Sequence, residues 1–141
     1  MPSVRPMPLD QLIRTLVAEH RTIKSGLSTV GNAVEAGDFE LAKRTLSEVD
    51  SLFRQHIADE EGQILRLLLD SQGREASEDA IRVFRQHRPI YELMRSVSFL
   101  ASLQPDDLSR NQDDLRQLLE THTLAEEGWI FPRASKSAPK H

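Results

Sequence analysis

His122-Thr-Leu-Ala-Glu126-Glu127-Gly128-Trp-Ile-Phe131 decides the reading of this chain, because His56-Ile-Ala-Asp-Glu60-Glu61-Gly62-Gln-Ile-Leu65 repeats its pattern. Both are H-x-x-x-E-E-G-x-I. On a helix, the residue four after a histidine is turned only about 40° from it, so His122 shares a face with Glu126, and His56 with Glu60. Each stretch presents one nitrogen and one oxygen in the same direction.

Outward from these stretches, apolar residues recur at helical spacing in four segments. Ile13, Leu16, Val17, Ile23, Leu27, Val30 and Val34 mark a first helix from Leu9 to Glu35, with His20 in its stripe. Gly37-Asp38 breaks it, and Leu41, Leu46, Val49, Leu52 and Phe53 open a second helix that carries His56 and Glu60 to about Leu69. Ser71-Gln72-Gly73 is the next turn. Ser77, followed by Glu78 and Asp79, reads as the N-cap of a third helix running to about Leu103. Its stripe is Ala80, Val83, Phe84, His87, Ile90, Met94 and Val97, and Pro89 within it predicts a kink or bulge that frees the carbonyl of Arg85. Pro105-Asp106-Asp107 makes the last turn, and Leu115, Leu118, Leu119, His122, Ala125, Glu126 and Trp129 line a fourth helix that Pro132 ends. The expected fold is all-α, an antiparallel up-down-up-down four-helix bundle over residues 9–132, with an arm at 1–8 and a flexible tail at 133–141.

The turns fix the heights of the histidines. Two residues on neighbouring antiparallel helices lie level when the turn falls midway between them, since each helix rises and returns at about 1.5 Å per residue. The midpoints are Asp38 for His20 and His56, Ser71-Gln72 for His56 and His87, and Gln104-Pro105 for His87 and His122. Four of the 5 histidines therefore meet at one level, and Glu60 and Glu126 sit about one turn along. An internal repeat agrees: His20-Arg21-Thr22-Ile23 matches His87-Arg88-Pro89-Ile90, and the two H-x-x-x-E-E stretches follow 36 and 35 residues later. Two hairpins related by a pseudo-twofold axis would build two equivalent metal positions bridged by two carboxylates, an inferred His4Glu2 set.

Composition narrows the chemistry. The 141 residues predict one domain, and the absence of cysteine leaves any metal to His, Asp and Glu. The net charge of −4, from 22 acidic and 18 basic residues mixed along the chain, gives no footprint for nucleic acid. No apolar run is long enough for a membrane span, and a cytoplasmic protein is expected. The mixed-charge exterior suits a monomer or weak homodimer, with no protein partner indicated. Buried imidazoles and carboxylates among Leu, Ile and Phe need partners, and two divalent cations would supply them. With two carboxylates and a bridging hydroxide, one net positive charge remains. Nitrogen and oxygen ligands without thiolate suit iron, manganese or zinc.

The order and spacing of Glu19-His20-Arg21, the two His-x-x-x-Glu-Glu stretches, His87 and Ile130-Phe131-Pro132 resemble the hemerythrin-like (HHE cation-binding) domain over roughly Leu9 to Pro132. That resemblance implies a non-haem centre of two iron ions, oxo- or hydroxo-bridged, held by His20, His56, Glu60, His87, His122 and Glu126. It makes manganese or zinc the lesser choices. The oxygen-carrying hemerythrins have a further histidine four residues after the helix-three ligand, where this chain has Tyr91. Its phenol is a candidate catalytic group, with metal ligation, a contact to a bound ligand and ordinary core packing all open. Lys24 holds the corresponding place in the first repeat. Glu61 and Glu127 lie about 140° from the histidines of their own helices, which suits outer contacts to the site or salt bridges, with Arg21 or Arg88 as partners.

Three functions fit this reading. The centre binds or senses a diatomic ligand, O2 or NO; it is a redox enzyme acting on peroxide, NO or O2; or it stores and donates iron. Nothing in the sequence indicates a pocket for a larger substrate.

Overall fold

The computed structural model describes residues 3–71, 73–100 and 105–137, and every regular element among them is helical. In chain order these are α1 (Leu9–Glu35), α2 (Phe39–Asp59), a first π turn (Glu60–Leu65), α3 (Arg66–Ser71), α4 (Arg74–Phe84), α5 (His87–Leu100), α6 (Pro105–Ala125), a second π turn (Glu126–Ile130) and α7 (Phe131–Ser137). They join into four rods: α1; α2 continued through the first π turn into α3; α4 with α5; and α6 continued through the second π turn into α7. The result is the all-α four-helix bundle expected from the sequence. In it α1 packs on α2 and α6, while α5 packs on α6 and α2. Among the described residues no helix is long and apolar enough to cross a membrane.

The first hairpin turns where glycine permits it. Gly37 has φ +76°, a left-handed conformation that costs other residues a Cβ clash, and the N–H of Asp38 returns to the carbonyl of Ala33 at 2.8 Å. The Asp38 carboxylate then accepts from the N–H of Leu41 at 3.1 Å and so caps α2.

The third rod is broken at Arg85–Gln86, as the proline predicts, but the carbonyl of Arg85 is not freed. The N–H of Arg88 donates to it at 3.4 Å, one residue tighter than an α-helix, and Ile90 donates to Gln86 at 3.4 Å. Pro89 thereby falls in the first turn of α5, where no N–H is required.

Other boundaries differ from expectation. Ser77 is inside α4 and does not cap it, because its N–H already donates to the carbonyl of Gly73 at 3.0 Å. Pro105 begins α6 rather than making a turn with the two aspartates, since a proline is well placed at a first helical position. The midpoint Gln104 and the end of the third helix near Leu103 lie outside the described residues. Pro132 does not end the fourth rod: it is the second residue of α7, where a missing donor again costs little, and Ala134 beyond it is buried in the core. The expected tail is thus helical through Ser137, and 138–141 lie outside the described residues. Leu118 is 40% exposed, because the buried stripe runs Leu115, Leu119, His122, Glu126, and a residue next to 119 points about 100° away from it.

Two apolar clusters fill the bundle. One gathers Leu27, Val30, Leu46, Phe53, Ile90, Met94 and Leu115, and the other gathers Leu12, Leu16, Ile64, Leu68, Phe84, Ile130 and Phe131. The histidines fall where the two clusters meet, with Ile57 of the first cluster just past His56 on the second rod. Gln112 is a buried polar side chain that the sequence did not single out; its Nε2 donates to the carbonyl of Leu27 at 2.7 Å and ties α6 to α1.

Candidate metal centre

The π turns place the carboxylates. Four residues of α-helix overshoot a full turn by about 40°, so a run of fours would carry a stripe off the inner face. Buried positions nevertheless run Glu60, Ile64, Leu68 and Glu126, Ile130, Ala134. The widened turn takes up the overshoot: the N–H of Phe131 reaches the carbonyl of Glu126, five residues back. Both glutamates and the apolar residues after them consequently remain on the face that His56 and His122 occupy.

The six residues named from the sequence converge. Their ligand-type atoms form two groups, His20, His56, Glu60 and Glu126, and Glu60, His87, His122 and Glu126, each with all atoms within 4.8 Å of one another. Both glutamates belong to both groups. Glu60 turns Oε1 to His56 Nε2 at 2.5 Å and Oε2 to His87 Nε2 at 3.0 Å. Glu126 Oε1 lies 3.0 Å from His20 Nε2 and 3.2 Å from His122 Nε2, and its Oε2 lies 4.0 Å from His87 Nε2. Within each pair the imidazole centroids are 4.7 Å apart. Every one of these residues is buried.

Each Nδ1 is already engaged. Glu127 holds that of His20 at 3.1 Å, Glu19 that of His56 at 3.0 Å, Glu61 that of His87 at 3.1 Å and Gln86 that of His122 at 2.8 Å. With Nδ1–H donating to these acceptors, Nε2 of a neutral imidazole is left as a lone pair facing a carboxylate oxygen. Two lone pairs at such distances need a positive charge between or upon them. The buried Nε2 atoms of His56, His87 and His122, both oxygens of Glu60 and Oε2 of Glu126 have no hydrogen-bond partner. Ligand atoms at right angles about one ion, each roughly 2.1 Å from it, lie about 3 Å apart, so the spacing fits a metal. Without one, protons take its place. Burial pushes the His87 imidazole down, but its bonds to Glu60 and Glu61 and the charges of Glu60 and Glu126 outweigh it and lift the group to about 9. His56 moves the same way, burial again being overcome by Glu60, Glu126 and Glu19.

Glu61 and Glu127 therefore bond to histidines of the opposite hairpin, rather than to Arg21 or Arg88. Tyr91 is not brought into either group. It is half-buried, edge-on to Phe53 at 5.6 Å and under the Arg54 guanidinium at 5.1 Å, and it lines an open pocket with Glu61, His87 and Pro89. Burial pushes its phenol up against the opposing pull of Arg54.

Sequence reasoning missed the arm. Arg5 donates from its backbone N–H and Nε to the fully buried Asp59, at 2.8 and 2.7 Å, and from Nη2 to Glu19 at 3.0 Å. A Cβ on Gly62 would collide with Val4, so this glycine makes room for the arm, whereas Gly128 has open space. The signal available was Glu19 before His20 and Gln86 before His87, an acceptor beside a ligand in each repeat. Arg5→Ala is expected to cost about 1–2 kcal/mol, because Asp59 keeps a backbone donor but loses its charged partner, and the denaturant midpoint of the variant checks this.

A cavity of about 250 Å³ opens between α1 and α6 and reaches His20, His56 and His122. Ile23, Leu27, Phe53, Leu119 and Leu124 wall it, with Lys24 and Arg116 also on its lining. The model of the hemerythrin HHE cation binding domain family matches residues 11–134. No curated protein and no solved structure matches the chain.

Proposed function

The chain belongs to the hemerythrin HHE cation-binding family, and from that premise we propose that it holds two iron ions and binds a small diatomic ligand, O2 or NO, beside them. One ion would sit at His20 and His56 and the other at His87 and His122, with Glu60 and Glu126 shared. The observation that carries the reading is the pair of overlapping ligand groups with two carboxylates in common, built from buried atoms that otherwise lack partners.

When bound, the ions supply open coordination and a reversible change of oxidation state. The protein's own residues do the rest. Glu127, Glu19, Glu61 and Gln86 hold the four imidazoles in the tautomer that turns Nε2 inward. The apolar wall of the α1–α6 cavity disfavours water and admits a small uncharged molecule to His20, His56 and His122. Tyr91, the group a redox enzyme would recruit, lies at the other pocket and packs on Phe53, which favours binding over turnover. Ligand residues no more than 8% exposed favour retention of iron over its donation.

Metal analysis joined to absorption spectra tests the proposal. About two iron ions per chain are expected, and the reduced protein should change spectrum under O2 or NO and recover under argon. Irreversible oxidation with no recovery would sink the binding reading, steady consumption of peroxide would favour the enzyme, and rapid loss of iron to a mild chelator would favour storage.

A further inference from the structure

The internal twofold relates the two ion positions, but their surroundings part company at one pair of residues. Glu127 and Glu61 are equivalent by the repeat, and each accepts from Nδ1 of a histidine on the opposite hairpin at 3.1 Å. Glu19 and Gln86 are also equivalent, each standing one residue before a ligand histidine and accepting from Nδ1 of the other histidine in its own pair. Here a carboxylate faces an amide. Arg5 grips the far oxygen of Glu19 and leaves Oε1 to His56, so the acceptor is both ionised and fixed. Among the groups joined by hydrogen bonds or ion pairs to the Nδ1 side of the imidazoles, Glu19, Glu127, Asp59 and Arg5 sum to two negative charges at the first position and Glu61 to one at the second.

A carboxylate that accepts a hydrogen bond from Nδ1–H makes the imidazole a stronger electron-pair donor at Nε2 than an amide does, and changes of this kind alter metal affinity about tenfold or more. We propose that the two positions fill in order, His20 and His56 first and His87 and His122 second, with Glu19 and Gln86 as the positioning residues that set the difference. This rests on the dinuclear centre proposed above. The first position is the tighter and the second the more readily emptied.

Titrating chelator-stripped protein with Co(II), followed by visible absorption and by imidazole resonances in 1H–15N spectra, tests the order. Two steps about tenfold apart are expected, the first disturbing His20 and His56. The Gln86→Glu variant should draw the steps together, and the double exchange Glu19→Gln with Gln86→Glu should reverse them, which a merely structural role would not do. A single unresolved step of two equivalents, a first ion at His87 and His122, or an order unchanged by the double exchange overturns the proposal while the dinuclear centre stands. Uptake of no more than one ion by the unaltered protein overturns the centre, and the order with it.

Discussion

Replacing Glu126 by alanine is expected to empty both ion positions at once. The carboxylate lies 3.0 Å from His20 and 3.2 Å from His122, on different hairpins, and is fully buried. Under the proposed ligand set, substituting a single histidine would strike one position, whereas substituting this glutamate would remove a ligand from each. Ions that bind only the folded chain stabilise it by about 4 kcal/mol when free metal exceeds the dissociation constant a thousandfold. At about 2–4 °C per kcal/mol for a chain of this size, the metal-loaded midpoint should fall by about 10 °C. Metal analysis of Glu126→Ala and thermal unfolding with and without added iron measure both effects. A variant that retained two ions would show that Glu126 is not shared.

The second large effect appears when metal is withdrawn and pH is raised. In the metal-free protein His87 titrates at about 9 against an ordinary 6.5, a difference worth about 3 kcal/mol. Because the folded-state value is the higher, this stabilisation is complete below pH 6.5 and disappears as pH rises through about 9. His56 adds to it in the same direction. Glu126 behaves oppositely. Burial pushes its carboxyl up but is overcome by bonds from Glu60, His122, His20 and His56, which hold it well below the usual range. Its contribution is present above that range and is lost on acidification, so metal-free stability should peak in mildly acidic solution. Metal-loaded protein should instead gain stability as pH rises over the same interval, since protons and ions compete for Nε2. Urea unfolding of both forms between pH 6 and pH 9.5 measures the two slopes. A metal-free stability that is flat or rising there would contradict protonated buried imidazoles.

The bundle was legible because one apolar stripe per segment, spaced by threes and fours, has only one way to be buried. The level of the four histidines followed from the midpoints between them, which Gly37 marks in the first hairpin and which fall beside Gly73 and Pro105, where α4 and α6 begin. What escaped was whatever depended on a single hydrogen bond or on register. Ser77 looks like a cap until Gly73 is seen to start the helix first. The π turns were written in the fours of Glu60, Ile64, Leu68 and Glu126, Ile130, Ala134, but a few residues at that spacing also fit an ordinary helix with a drifting stripe. Gln112 and Arg5 are polar residues whose partners lie 85 and 54 residues away, and no local pattern announces such a pairing. Glu61 and Glu127 were placed by angle on their own helices, whereas their partners are on the facing ones.

Those last contacts cross between the hairpins, and so do Glu60 and Glu126. Neither half of the chain alone can finish either ion position under the proposed ligand set. Metal is then a late clasp rather than a seed: the hairpins must find each other before the ions can be held, and any event that parts them lets both ions go together. A chain cut between α3 and α4 would turn this into a reporter of reassembly, recovering its metal only when the two fragments have docked.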